Sequence, residues 1–176
     1  CGARGGAGGC AGAGRGRVSI DADGSGVGRA ACGAGGGLVS DGAAMSDPGI
    51  AGAAADAGGA YVLTYQRGVK DEALDAGRDM LRFFEEAVHR CEAEGLKRDH
   101  VILDPGVGFA KTYEQNFQVL AAAGDLVGLG LPVLIGVSRK SFIGKRLGIE
   151  TAAERDTASV AVGLDSVRRG AHMLRV

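Results

Sequence analysis

From residue 17 onward, short apolar runs alternate with helix-length stretches in which apolar positions recur about every third or fourth residue. The runs at 18–21, 38–40, 61–64, 101–104, 133–137 and 173–176 are aliphatic and β-branched almost throughout, the pattern of strands covered on both faces. Between the third and fourth runs, residues 71–94 place Leu74, Leu81, Phe84, Val88 and Cys91 along one stripe before Gly95, which predicts a long amphipathic helix. Thr112 with Gln115, and Thr151 with Glu154, have capping-box form, so helices are predicted to open at Tyr113 and Ala152. The second is expected to turn Val160, Leu164 and Val167 inward and to end at Gly170.

Strand and helix in alternation make an α/β fold with a parallel sheet. The polar residues sit at the carboxyl ends of the runs: Asp21, Ser40 with Asp41, Thr64 with Tyr65, Asp104, Ser138-Arg139-Lys140 and Arg175. An open doubly wound sheet gathers its chemistry near one switch point, whereas a (β/α)8 TIM barrel spreads it over every strand end. The pattern therefore favours a partial (β/α)8 barrel of about six of eight βα units over residues 17–176. Six strands do not close such a barrel.

Composition adjusts this picture at one end. Twenty of the 33 glycines lie in the first 60 residues, and 1–16 is almost entirely Gly, Ala, Cys and Arg, which buries too little apolar area to offset its ordering entropy. That stretch is expected to be disordered, and the seven glycines between 24 and 37 predict a weak helix after Asp21. A formal net charge of -1, with acidic and basic residues interspersed, provides no one-sided positive field for nucleic acid or an anionic membrane. No apolar run approaches bilayer length and no signal-like segment opens the chain, so a cytoplasmic location is expected, although both ends look cut. Cys1, Cys10, Cys32 and Cys91 lack metal-ligand spacing and are read as reduced thiols.

Two segments carry candidate chemistry. In VILDPGVGFAKT a buried strand delivers Asp104 to a Pro-Gly-Val-Gly turn where backbone can approach a ligand. A carboxylate there can accept the paired donors of a 2-amino group and ring N–H, as in guanine or pterin, and it can equally cap the turn. In VLIGVSRKSFIG a strand ends on Ser138-Arg139-Lys140-Ser141 ahead of an apolar Phe142-Ile143 anchor. Lys140 could donate to a ring atom and Ser138 to a carboxylate, while the bland reading leaves Arg139 and Lys140 as solvated charges. Arg175, in an apolar run, needs either solvent or an anion such as a diphosphate. His172 reads as structural. A phosphate-binding P-loop is excluded because Ala110 and Pro105 stand where glycines are required before Lys111, and Gly24-Ser-Gly26-Val-Gly28-Arg29 departs from a dinucleotide fingerprint at its sixth position.

Together LDPGVGFAKT, VLIGVSRKSFIG, ERDTASVAV at 154–162 and the closing LRV resemble the dihydropteroate synthases, over residues 17–176. The resemblance implies a pterin-binding TIM barrel lacking its first two strands and its end, and a transferase of folate biosynthesis. That enzyme condenses p-aminobenzoate with 6-hydroxymethyl-7,8-dihydropterin diphosphate to give 7,8-dihydropteroate and pyrophosphate. By position it implies that Asp21, Ser40, Asp104, Lys140 and Arg175 contact the pterin, that Lys140 and Arg175 serve catalysis, and that Phe109 and Ser138 flank p-aminobenzoate. It also implies Mg2+ held by a region outside this chain, and a homodimer at full length. Asp21-Ala22, Ser40-Asp41 and Thr64-Tyr65 stand where the family has Asp-Thr, Asn-Asp and Met-His. Two rivals are an inactive truncated pterin-binding fragment and a methyltetrahydrofolate-dependent corrinoid methyltransferase, which would not need the Ser-Arg-Lys-Ser corner.

Overall fold

The computed structural model describes residues 19–22, 24–33 and 37–176. The expected disorder of 1–16 lies outside them, as do Cys1, Cys10 and the side chain of Cys32. The described residues form β1 (Ser19–Asp21), α1 (Ser25–Gly33), β2 (Leu38–Asp41), α2 (Gly49–Asp56), β3 (Ala60–Thr64), α3 (Ala76–Ala93), β4 (Val101–Asp104), α4 (Tyr113–Ala121), α5 (Ala123–Val127), β5 (Leu134–Gly136), α6 (Ser141–Leu147), α7 (Asp156–Arg168) and β6 (Met173–Arg175). All six expected strands are present.

Strands neighbour one another in chain order. The sheet β1-β2-β3-β4 is followed by a parallel bridge from Leu103 to Val133 and by the parallel pair β5-β6. This one-directional winding belongs to a (β/α)8 fold and lacks the order reversal of a doubly wound sheet. No helix of the described residues is long and apolar enough to cross a membrane.

The chain divides into two compact units. One comprises Cys1–Thr64 and Glu86–Ile102. Within it Val39, Ile50, Tyr61, Val62, Val88 and Cys91 are buried, and Gly28 lets α1 lie against Ile50 and Ala53 of α2. Asp41 is fully buried and accepts hydrogen bonds from the backbone N–H groups of Ala43 (2.7 Å) and Met45 (2.9 Å) and from the Tyr61 hydroxyl. Those bonds hold Ala44 and Met45 in left-handed backbone geometry at φ 54° and 60°. Burial pushes the Cys91 thiol up to about 12, so it packs against Met45 as an inert, reduced side chain.

The other unit comprises Tyr65–Glu85 and Leu103–Val176. Tyr65, Phe83 and Phe84 cluster with ring centroids 5.3–6.4 Å apart. The Tyr65 hydroxyl donates to Asp79, which also takes a two-pronged bond from Arg67 at 2.6 and 2.8 Å. The predicted capping box at Thr112 forms in full, and the Gln115 amide reaches on to the Leu74 carbonyl at 3.1 Å.

Three helix expectations need correction. The long helix opens at Ala76, not 71, because Asp71 accepts from Ala73 N–H and Asp75 from Arg78 N–H, bonds that favour turn and cap over helix. Thr151 makes no side-chain cap bond; residues 152–155 form a 3-10 turn and α7 opens at Asp156. Most consequentially, Val160, Leu164 and Val167 face outward, 60, 58 and 46% exposed, while Ser159, Gly163 and Ser166 are buried. Both sets have helical spacing, so periodicity alone cannot choose between them. The small set allows close approach: Gly163 lies against Leu174, and the Ser159 and Ser166 hydroxyls donate to carbonyls one turn back, at 2.8 Å each.

The orientation of α7 sets an expected contrast in stability. Phe84→Ala should cost about 3–5 kcal/mol in urea unfolding, whereas Leu164→Ser should change stability by no more than about 0.5 kcal/mol. A large loss for Leu164→Ser would show that this side of α7 is buried in solution.

Candidate functional site

β4 ends on Asp104, whose side chain is 1% exposed. Its Oδ1 accepts from Gly106 N–H at 2.8 Å and its Oδ2 from the Arg175 guanidinium at 2.8 Å. Burial raises the carboxyl above its ordinary value, and Arg175, the Gly106 N–H, Lys140 and Lys111 pull the other way. One lone pair on each oxygen is engaged, which leaves acceptor capacity for two further donors.

The turn after Asp104 is built from left-handed residues: Gly106 at φ 62°, Gly108 at 84° and Ala110 at 43°. At Gly108 the requirement is double, because an added Cβ would lie 3.0 Å from Lys140 Cδ. Gly108 N–H donates to the Asn116 side chain at 2.6 Å, and Asn116 returns a bond to the Thr112 carbonyl, tying the turn to the start of α4.

The two cations at the end of β5 part company. Arg139, at φ 54°, forms a two-pronged pair with Asp156 (2.6 and 2.8 Å), and its own N–H donates to Ser159. It is therefore occupied in structure. Lys140 turns toward the Asp104 turn, donates to the Val107 carbonyl at 2.5 Å and lies 4.6 Å over the Phe109 ring. Burial lowers its ammonium below the usual lysine value, and Asp104 opposes that shift.

In this unit Asp104, Lys140, Phe109 and Arg175 thus come together, and the Arg175 side chain is 42% exposed. Ser138 and Arg175 line one cavity of about 600 Å3 with Val137, Ser159 and Leu164. Asp21 and Ser40 belong to the other unit, Asp21 exposed at the end of β1 and Ser40 buried in β2. His172 is structural as expected, its Nδ1 accepting from Val133 N–H. Among the described residues no three His, Cys, Asp or Glu side chains gather to hold a metal.

Two side chains of the site escaped the sequence reading. Lys111 entered it only as a failed phosphate-loop lysine, yet it is 7% exposed and its ammonium is surrounded by backbone carbonyls. Burial lowers it to about 7. Asn116 gave no signal beyond being a polar residue in a helix.

A profile of the family described as pterin binding enzyme matches residues 10–176. The chain belongs to the pterin-binding enzyme family. Within it the chain is 32% identical to the dihydropteroate synthase of Escherichia coli K12 over 165 residues, 90% of this chain and 58% of that protein. Among solved structures, Xanthomonas albilineans dihydropteroate synthase with 4-aminobenzoic acid superposes with a TM-score of 0.86 at 38% identity, over 91% of this chain and 59% of that one. The same enzyme in complex with 7,8-dihydropteroate gives 0.85 at 37% identity, over 91% and 60%. The chain thus spans about three-fifths of the length of these dihydropteroate synthases. The partial (β/α)8 expectation agrees with these superpositions.

The left-handed turn makes opposite demands at two neighbouring positions. Gly108→Ala should destabilise by about 1–2 kcal/mol, the cost of left-handed backbone at a residue with a Cβ. Ala110→Gly should be neutral or stabilising by up to about 1 kcal/mol, against a loss of similar size at Ala87 in the buried face of α3. Thermal unfolding of the three variants checks the sign at each site.

Proposed function

We propose that this chain is the larger part of a dihydropteroate synthase, which joins p-aminobenzoate to 6-hydroxymethyl-7,8-dihydropterin diphosphate and releases pyrophosphate. One observation carries the reading: a carboxylate 1% exposed at a strand end, balanced by Arg175 and approached by Lys140, with acceptor capacity to spare. A pterin presents a 2-amino group beside a ring N–H, and these two donors match the two remaining acceptor positions of Asp104. Lys140 then stands beside the ring, and Phe109 and Ser138 flank the aminobenzoate.

The chemistry asked of the protein is charge stabilisation and orientation. Diphosphate leaves the pterin methylene, the aminobenzoate nitrogen bonds to that carbon, and a proton departs from the nitrogen. Arg175, part exposed beside Asp104, is a cation suited to the leaving diphosphate, while Asp104 and Lys140 hold the ring in place. Asp21 and Ser40 join the pterin contacts in this proposal on the strength of the resemblance. Ser40 offers a single hydroxyl where an asparagine amide offers more, which weakens the pterin edge. The resemblance assigns the Mg2+ of the proposal to a region outside this chain; among the described residues no three His, Cys, Asp or Glu side chains gather to hold a metal. The full-length protein is proposed to be a cytoplasmic homodimer.

Titration calorimetry with the dihydropterin diphosphate tests the reading. Asp104→Asn removes charge-assisted hydrogen bonds of about 1.5–3 kcal/mol, so Kd should rise roughly ten- to hundredfold. Lys140→Ala should abolish most pteroate formation in the chain extended to the length of its relatives. Unchanged binding in Asp104→Asn, or unchanged activity in Lys140→Ala, would sink the assignment; a folded wild-type chain that binds no pterin would favour the inactive-fragment rival.

A further inference from the structure

We propose that Lys111 is a positioning residue for Asp104, acting through Gly106 and Tyr65, the two residues whose backbone N–H groups donate to its carboxylate and its carbonyl; its relevance to pterin rests on the proposed function. The Lys111 ammonium donates to the carbonyls of Gly106 (2.8 Å), Tyr65 (2.9 Å) and Phe109 (3.2 Å), and lies 4.4 Å over the Tyr65 ring. An ammonium has three N–H donors, and all three are spent on backbone, so none is left for a ligand.

What those carbonyls belong to gives the lysine its role. Gly106 is the residue whose N–H donates to Asp104 Oδ1, and Tyr65 is the residue whose N–H donates to the Asp104 carbonyl at 2.9 Å. Lys111 therefore grips, by their carbonyls, the two residues whose backbone N–H groups hold Asp104, while Arg175 holds the other carboxylate oxygen independently. The third carbonyl, of Phe109, closes the turn, within which Phe109 N–H already donates to Gly106 O at 3.0 Å. With three left-handed residues in five, the turn has little regular hydrogen bonding of its own to keep Gly106 aimed at the carboxylate.

Charge runs through the same contacts. Asp104 favours the ammonium, Lys140 and burial disfavour it, and Arg67, Asp71 and Tyr65 line the small cavity beside it. A neutral amine keeps two N–H donors and turns a lone pair toward the third carbonyl. Raising the pH through about 7 therefore loosens the grip. The sign for stability is opposite. The lysine is depressed in the folded chain, so its contribution is fully present only above the unfolded value near 10.5 and is lost as pH falls through about 7. A loosening of the turn between pH 7 and 9 is thus separable from global unfolding.

The test uses the 176-residue chain without ligand, as wild type, Lys111→Met and Lys111→Arg. Carbon-13 NMR follows the Asp104 carboxyl titration, and amide exchange follows Gly106 and Gly108 against α3. Lys111→Met should raise the Asp104 titration point and speed exchange at Gly106 at least tenfold with α3 unchanged, and Lys111→Arg should restore part of both. A folded Lys111→Met chain with the wild-type Asp104 titration overturns the proposal. If that variant does not fold, wild type decides alone: protection of Gly106 that is unchanged from pH 6 to 9, after correction for intrinsic exchange, also overturns it. A parallel titration with 6-hydroxymethyl-7,8-dihydropterin diphosphate separates the two readings. No binding by wild type sinks the pterin reading only, and a tenfold weaker Kd in Lys111→Met supports both.

Discussion

The described site depends on keeping one carboxylate charged where water is nearly absent. Asp104 is 1% exposed, and an isolated anion at such a position would take up a proton instead of staying ionised. The fold opposes this by surrounding it with cations from three separate segments: Lys111 beyond the following turn, Lys140 at the start of α6 and Arg175 on β6. Each cation is in turn committed to a different duty. Lys111 is held by three backbone carbonyls and the Tyr65 ring, Lys140 donates to a single carbonyl, and Arg175 is the most exposed of the three.

This division of labour explains the shape of the turn. Glycines at 106 and 108 adopt left-handed backbone, one to aim an N–H at the carboxylate and the other to make room for the Lys140 chain. Ala110 follows them into the same region although it carries a Cβ, and the buried bonds around Lys111 hold it there. Arg139 is strained in the same sense and is kept in place by Asp156 and Ser159, which leaves its neighbour free to enter the site.

Much of this was legible in the residues. Six strand positions and the capping box at Thr112 follow from local pattern, because buried strands and caps carry their signal within a few residues. Asp104, Lys140 and Arg175, by contrast, were brought to one site by the family resemblance, and the ion pair between Asp104 and Arg175, 71 residues apart, was not foreseen. The inner face of α7 did not, since its choice between Val160-Leu164-Val167 and Ser159-Gly163-Ser166 is made by how closely the helix approaches Leu174, a distance no periodicity encodes. Lys111 was illegible for a similar reason. A lysine after a glycine-rich turn looks like a surface charge until the carbonyls of Tyr65, 46 residues earlier, are brought to it.

The bond between Arg175 and Asp104 joins positions 71 residues apart, so a carboxylate on β4 is matched to a cation on β6. Without that guanidinium Asp104 loses the first of the charges that oppose its burial, and a proton from solvent becomes the replacement. Docking of Arg175 and proton uptake at Asp104 are therefore one linked equilibrium, so acid competes with the arginine for the same carboxylate.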